Sequence, residues 1–383
     1  MSRGAEGVWG ERFPPMSRGA EGVWGERFPP MSRGAEGVWG ERFPPKSRGG
    51  LGGIVPPETT QFAAVLHDML VAADVPGVAR QWAAGDLAPG LAVWRRLAGL
   101  GVTALAVPEK WGGLGASPLD LVAACEELGH HAVPGPVAES LAAVPVLLGA
   151  LADAGPASRG SCGEWLAGLA AGELTATLAA PPWVPLAACA EAAGLVLLAQ
   201  DGVVGRARAG TTFRSVDTTR SLASLAAQTS LAAGAAGAVA RALDFGALAC
   251  SAQLLGAGRA LLEASVRHAC LRVQFGRPVG AFQAVKHRLA DVAIGLEFAR
   301  PLADAAAAAL ATGEPAAARD VSAAKVACAD AAYRAARAAL QVHGAIGYTA
   351  EHDLSRFLVQ VRALVPAWGG QAEHRARILR ELG

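Results

Sequence analysis

The sequence predicts a mainly α protein with a small β segment in its middle, and three observations carry that expectation. Long stretches at 230–271, 281–312 and 316–343 are dominated by alanine and leucine, both strong helix formers. From about Gly172 to Leu225 the pattern shortens into strand-like runs: Leu174-Thr-Ala-Thr-Leu, Leu195-Val-Leu-Leu and Gly202-Val-Val-Gly. Between the first two helical stretches Gly276, Pro278 and Gly280 impose a tight corner, since glycine allows positive φ and proline fixes φ and removes a donor.

The 383 residues are enough for two or three domains and a sizeable core. A formal charge of +1 offers nothing to nucleic acid or to an acidic membrane surface. Hydrophobic residues make up 52%, but alanine dominates and no apolar run reaches the ~20 residues of a membrane span, so no membrane partner is expected. Six cysteines, Cys125, Cys162, Cys189, Cys250, Cys270 and Cys328, form no Cys-x-x-Cys pair, which points to reduced thiols in a cytoplasm. The histidines His130-His131, His287, His343 and His374 show no ligand spacing, so surface or capping roles are expected and no metal.

Residues 1–15 recur identically at 16–30 and 31–45, and a partial echo follows at Lys46-Ser47-Arg48-Gly49. Such a glycine- and proline-rich repeat with balanced charge buries no core, so residues 1–50 are read as a disordered extension outside the fold. Its identity points to recent duplication of coding sequence or a mis-set start; a repeated aromatic docking motif is the alternative. The remaining boundaries are expected at 51–171 for an N-terminal helical domain, 172–228 for a reduced middle β domain and 229–383 for a C-terminal helical bundle.

In the N-terminal part, Thr59-Thr60 reads as the cap of a helix running to Val75, and Trp94 and Leu97 share one face of a second helix. Ser117-Pro118-Leu119-Asp120 opens a further helix with an N-cap serine and a first-turn proline. Before it lies a glycine-rich connection, Pro108-Glu-Lys-Trp-Gly-Gly-Leu-Gly, and inside it Glu126-Glu127-Leu128-Gly129.

The chain is organised around 272–291. The helical run from Ser230 is expected to carry Arg272, Gln274 and Phe275 to an exposed end, where Gly276 stops it. A second helix follows, with Phe282, Val285, Leu289, Val292 and Leu296 at helical spacing. A guanidinium, an amide and a ring at one corner suit a diphosphate with an attached base; a helical hairpin with a surface arginine is the plain alternative.

Arg272-x-Gln274-Phe275-Gly276-x-Pro278-x-Gly280-x-Phe282-Gln283, with Leu289-Ala290-Asp291 after it, resembles the signature of the acyl-CoA dehydrogenase family. The segments at 108–115 and 126–129 resemble that family's N-terminal domain, and Gln341-Val-His-Gly344-Ala345-Ile-Gly347-Tyr348-Thr349 resembles its Gln-x-x-Gly-Gly-x-Gly-Tyr/Phe-Thr segment, with Ala345 in place of the second glycine. The resemblance implies an acyl-CoA dehydrogenase-like fold and FAD held between two subunits. It also implies α,β-dehydrogenation of an acyl-CoA thioester, with electron-transfer flavoprotein as acceptor. Arg272, Gln274, Phe275, Gln341 and Gly344 are then the cofactor-binding residues, reaching a neighbouring subunit's FAD.

Two departures accompany the match. The base positions of the two family branches hold Gly369 and Gly246, and Ala247 stands where one branch has an arginine. Glu373 and Glu351 are the nearest carboxylates in sequence and Glu373 is only a weak substitute, since it more readily caps or pairs. The middle β stretch also lacks the Gly-Ser-Asp and Trp-x-Thr segments that wrap the flavin ring in the family. The expected role is therefore the degenerate subunit of a heterotetramer such as those acting on fatty-acid or steroid side chains, completing the FAD site of a homologous subunit that holds the base. A self-sufficient homotetramer with a non-standard base and a non-catalytic helical interaction protein are the alternatives.

Overall fold

The structure is a computed structural model that describes residues 56–349 and 352–382; the triple repeat and Glu351 lie outside them. Helices α1 (Pro57–Val71), α2 (Val75–Ala83), α3 (Ala88–Gly99) and α4 (Pro118–His130) build the N-terminal part. Helix α1 begins on proline instead of a threonine cap: Thr59 points inward, where its hydroxyl donates to Asp120 Oδ1 at 2.5 Å. It also stops at Val71, short of the expected Val75, because Asp74 sits at φ +46° and caps α2 through the Gly77 N–H. The Ser117 hydroxyl accepts from the Leu119 N–H at 3.2 Å, as its sequence position requires of an N-cap. A π-helical turn (Glu139–Ala143) then runs into α5 (Val144–Ala154) and α6 (Pro156–Ala170).

The middle of the chain is one five-stranded sheet in the order β1-β3-β4-β5-β2, from β1 (Ala176–Ala179), β2 (Ala187–Ala188), β3 (Leu195–Gln200), β4 (Val203–Phe213) and β5 (Leu222–Ala232). Strands β1 and β3 are parallel; the other pairings are antiparallel. The expected helix from Ser230 starts later, because Ser230 pairs with Gly205 and Ala232 with Val204. A Cβ on Gly205 would lie 2.1 Å from the Thr229 carbonyl, so this bulged crossing of strands needs glycine.

The C-terminal bundle comprises α7 (Ala236–Leu271), α8 (Gln283–Thr312), α9 (Ala317–His343), α10 (Leu354–Leu364) and α11 (Gln371–Leu382). Helix α7 is long and apolar enough to cross a membrane, beyond what the apolar runs alone implied, but 89% of its apolar window is buried inside the protein, which marks a core helix. Alanine-rich faces let α7, α8 and α9 approach closely and bury a continuous core from Ala242 to Ala339.

Helix α4 crosses α7 at backbone contact: a Cβ on Gly129 would lie 2.2 Å from the Gln253 carbonyl, and one on Gly256 1.9 Å from the Glu126 carbonyl. At this crossing buried Glu126 is bound by Arg259 (2.7 Å) and Arg300 (2.6 Å), and Glu127 by Arg259 (2.8 Å). The Glu-Glu-Leu-Gly segment is thus architectural. It ties the N-terminal helices to the bundle with charge-assisted, bidentate hydrogen bonds.

Candidate functional site

The corner at Arg272 forms differently from the expected helix end. Helix α7 stops at Leu271, and residues 273–278 make a miniature hairpin, β6 (Val273–Gln274) and β7 (Arg277–Pro278), turning through Phe275 and Gly276 at φ +53° and +76°. Two consecutive positive φ values are the signature of a tight hairpin turn, and Phe275 occupying the first of them is uncommon for a bulky side chain. The turn holds the Phe275 ring 91% exposed, with an edge contact to Phe282 at 6.1 Å between centroids. Arg272 and Gln274 are exposed beside it, and among the described residues the Arg272 guanidinium has no carboxylate partner.

The second motif meets the first through stacked imidazoles. His268, one turn before Arg272, packs against His343 at 4.2 Å between ring centroids, and His343 packs against His352 at 5.3 Å. Burial and the neighbouring rings push His268 down to about 4, so it is neutral near pH 7. Helix α9 ends here: Gly344 at φ +68° turns the chain into a short 3-10 segment, Gly344–Tyr348. Gly344, Ile346 and Tyr348 are exposed on it, and Gln341 is exposed in the last turn of α9. The five residues picked from sequence therefore lie on one exposed edge, organised by the ends of α7 and α9, with apolar rings facing solvent.

The two base positions are inside, and both are filled. A Cβ on Gly246 would lie 2.2 Å from the Trp368 ring; one on Gly369, at φ +89°, would lie 2.4 Å from the Trp183 ring and 2.9 Å from His374 Nε2. Trp368 is 2% exposed and itself sits at φ +59°. Its carbonyl binds His374 Nε2 at 3.0 Å, while His374 Nδ1 pairs with the Ser322 hydroxyl at 3.0 Å. Glu373 is exposed in the first turn of α11, where a carboxylate favours the helix N-terminus.

Beside Trp368 lies a narrow cleft that sequence reading missed, with a free volume of about 50 Å³ and walls that include Glu139, Arg220, Gln253, Arg356 and Gln360. Glu139, on the π-helical turn, is buried and its Oε1 lacks a hydrogen-bond partner; Arg220 Nη2 approaches only to 3.7 Å. Burial raises its pKa, with Arg220 working against the rise. Arg356 Nε and Nη1 and Gln360 Oε1 are likewise buried without hydrogen-bond partners, although Arg356 Nε lies 3.5 Å from Asp353 Oδ1. Glu139-Ser-Leu-Ala-Ala carries no sequence signal beyond an acid in an apolar run, which is the one cue that would have flagged it.

A sequence profile for "Acyl-CoA dehydrogenase, N-terminal domain" matches residues 56–173, and one for "Acyl-CoA dehydrogenase, C-terminal domain" matches residues 233–383. The acyl-CoA dehydrogenase IpdE2 of Mycobacterium tuberculosis is 32% identical over 307 residues, covering 79% of this chain and 90% of its own. The chain belongs to the acyl-CoA dehydrogenase family.

FadE34, an acyl-CoA dehydrogenase of the same organism, is 34% identical over 303 residues, which span 75% of this chain and 41% of FadE34. Among solved structures, the Tcur3481-Tcur3483 steroid ACAD G363A variant aligns with TM-score 0.74 and 22% identity, over 85% of this chain and 97% of that one. The ChsE4-ChsE5 complex from Mycobacterium tuberculosis aligns with TM-score 0.70 and 23% identity, over 86% and 98%. FAD-dependent dehydrogenation is the general activity of this family, and the fold is the family's fold.

Proposed function

We propose that this chain is the non-basic subunit of a hetero-oligomeric acyl-CoA dehydrogenase, completing the FAD site of a homologous subunit that carries the catalytic carboxylate. One observation supports this reading: the glycines at the two expected base positions pack against indoles, while the five candidate cofactor-binding residues stay exposed. A base removes the α-proton of the thioester, and glycine offers no such group; losing a general base costs about 10²–10⁴ in rate. The ChsE4-ChsE5 complex and the Tcur3481-Tcur3483 enzyme each combine two differently named chains, which supports a heteromeric partner; the word steroid in the latter supports a bulky acyl-CoA.

The donor set at the edge fits FAD from outside the subunit. Arg272 offers a guanidinium to a diphosphate, Gln274 and Gln341 offer amides, Gly344 lets backbone approach closely, and Phe275 offers an apolar face. Bound there, FAD would supply the hydride acceptor. In this reading the chain's own residues bind and orient: Arg272 meets the diphosphate charge, and Phe275 and Tyr348, exposed at 91% and 73%, exclude water once covered by the partner. Electron-transfer flavoprotein is the acceptor consistent with the family.

The deciding measurement is the visible spectrum of the chain purified alone and after co-expression with a full-length homologue. Flavin bands only in the co-purified complex are expected; flavin bound to the chain alone overturns the partner-subunit reading.

A second reading is favoured by Glu139, a buried carboxylate on the cleft beside Trp368 whose Oε1 lacks a hydrogen-bond partner and lies 3.7 Å from Arg220 Nη2. Here Glu139 itself takes the α-proton in a self-sufficient dehydrogenase. Glu139→Gln would then abolish turnover of acyl-CoA by the chain alone, and a wild-type chain inactive alone removes this alternative.

A further inference from the structure

Three histidines, the adjacent pair His130-His131 and the distant His67, meet at the junction of α1 and α4. Glu127, His130 and His131 stand at i, i+3 and i+4, which places their side chains on one face of α4 and its end. Across from them His67, on α1, brings its Nδ1 to 3.1 Å from Glu127 Oε2 and 3.1 Å from His131 Nε2. The three rings lie 4.7–5.4 Å apart by centroid, and one ligand atom from each of the four residues falls within 4.8 Å of all the others. The chain leaves α4 through Ala132 at φ +52°, a conformation unusual for a non-glycine residue, and this reversal follows directly on His131.

The hydrogen-bond count in this cluster does not close with protons alone. Both contacts meet at His67 Nδ1, so either one proton there is divided between Glu127 Oε2 and His131 Nε2, or His131 Nε2 donates to it and the Glu127 contact is left without a proton on the ring. His130 Nε2 is 2.9 Å from Glu263 Oε2 of α7, so the ring donates there, yet its Nδ1 is buried with no partner. An imidazole oriented by a carboxylate through one nitrogen, with the other nitrogen open, has the arrangement of a metal-binding histidine. Burial and the adjacent rings keep His131 well below its usual range, at about 3, so the ring is neutral.

We propose that His67, Glu127, His130 and His131 form a structural zinc site that pins α1 to the α4–α7 crossing. An N₃O set of three imidazoles and one carboxylate suits Zn²⁺, which takes four protein ligands in closed structural sites. With metal–ligand bonds of about 2.0–2.1 Å, tetrahedral ligand atoms lie roughly 3.3–3.4 Å apart. The two 3.1 Å contacts are already close to that spacing, and a ligand atom of His130 lies within 4.8 Å of the others. The His130 Nδ1 that now lacks a partner becomes a ligand, and Glu263 is the carboxylate behind it.

Charge around the site is balanced, and Arg259 leaves Glu127 able to take a further partner. That guanidinium holds Glu127 through both oxygens at 2.8 and 2.9 Å, but a carboxylate has lone pairs for a second partner, and Oε2 faces His67. The carboxylates here are Glu126, Glu127 and Glu263; against them stand half-buried Arg259 and Arg300 and, at the rim, exposed Arg267, 3.9 Å from Glu263.

The test uses the untagged full-length chain, stripped with EDTA and titrated calorimetrically with zinc chloride, with cobalt chloride as an optical probe. Expected are one zinc per chain, visible bands of four-coordinate cobalt, and a higher melting temperature with zinc. His67→Ala and His131→Ala, each with a wild-type circular dichroism spectrum in EDTA, should weaken zinc binding by about tenfold or more. The proposal is overturned if the stripped protein takes up no zinc, or if both variants bind zinc as tightly as wild type, which would assign uptake to the cysteines or other surface groups.

Discussion

The exposed edge at Arg272 and the filled interior at Trp368 are two halves of one family scaffold treated in opposite ways. At the edge, Arg272, Gln274, Gln341 and Gly344 are held by a hairpin turn and a helix end, and their polar groups face outward. In the interior, indoles take up the room next to Gly246 and Gly369. A surface site keeps its donors at little cost to stability, whereas a buried carboxylate without a proton or a partner is expensive. Trp368 and Trp183 fill the interior without placing a carboxylate at either glycine, and in the role proposed above the proton abstraction falls to a neighbour. The contrast makes stability and function separable, and mutations at the two places should move different quantities.

The largest effect is expected at the interior. Trp368→Ala should cost about 3–5 kcal/mol in urea unfolding, as for other buried aromatic truncations. Gly246→Glu alone should destabilise by a comparable amount, and combining it with Trp368→Gly should recover more than about 1 kcal/mol relative to the sum of the single changes. If Gly246→Glu is tolerated with Trp368 in place, the interior is not filled in the sense argued here.

The next effect is in pH. Burial lowers His374, 0% exposed, to about 4, with Lys325 and Arg377 adding to the fall. The unfolded chain takes a proton near pH 6.5 and the folded chain does not until about pH 4, so stability is complete above 6.5 and lost as pH falls toward 4. That loss amounts to at most about 3 kcal/mol. Melting temperatures between pH 4 and 7 should show it, and His374→Gln should flatten the slope.

Smaller again is Gly369→Ala. The methyl meets Trp183 at 2.4 Å on a backbone at φ +89°, and a destabilisation of about 1–3 kcal/mol is expected in the same unfolding assay.

The smallest change in stability belongs to Arg272→Ala, within about 0.5 kcal/mol, because the side chain is exposed and lacks a carboxylate partner among the described residues. The same substitution should release flavin from the co-purified complex, weakening it by about tenfold or more through loss of a charge-assisted bond. Unchanged flavin retention there would remove the edge from the cofactor site and with it the contrast between the two regions.

Much of this was legible in order along the chain. The helices at 283–312 and 317–343, the serine cap at Ser117 and the glycine-rich corner all depend on local spacing, and they lie within a few residues of their expected bounds. The corner itself differed in kind, a hairpin in place of a frayed helix end, because the helical pattern does not reveal that Phe275 will accept positive φ. The strand at 222–232 overran the expected helix start, since alanine is compatible with either state and pairing with β4 decides between them. Glu139 and the histidine cluster left only weak traces, an acid within an apolar run and a Glu-x-x-His-His spacing on α4.

By itself, the sequence determined the family and the mainly helical fold and offered five candidate cofactor-binding residues, because motif spacing and helical periodicity are properties of neighbouring residues. Only the tertiary structure decided that Trp368 lies against Gly246, that Glu139 opens on a cleft and that His67 faces Glu127 and His131. Those meetings join segments far apart in the chain. Which pairs meet follows from how α1, α4, α7 and the C-terminal turn pack, and close packing is a global constraint that no local pattern encodes.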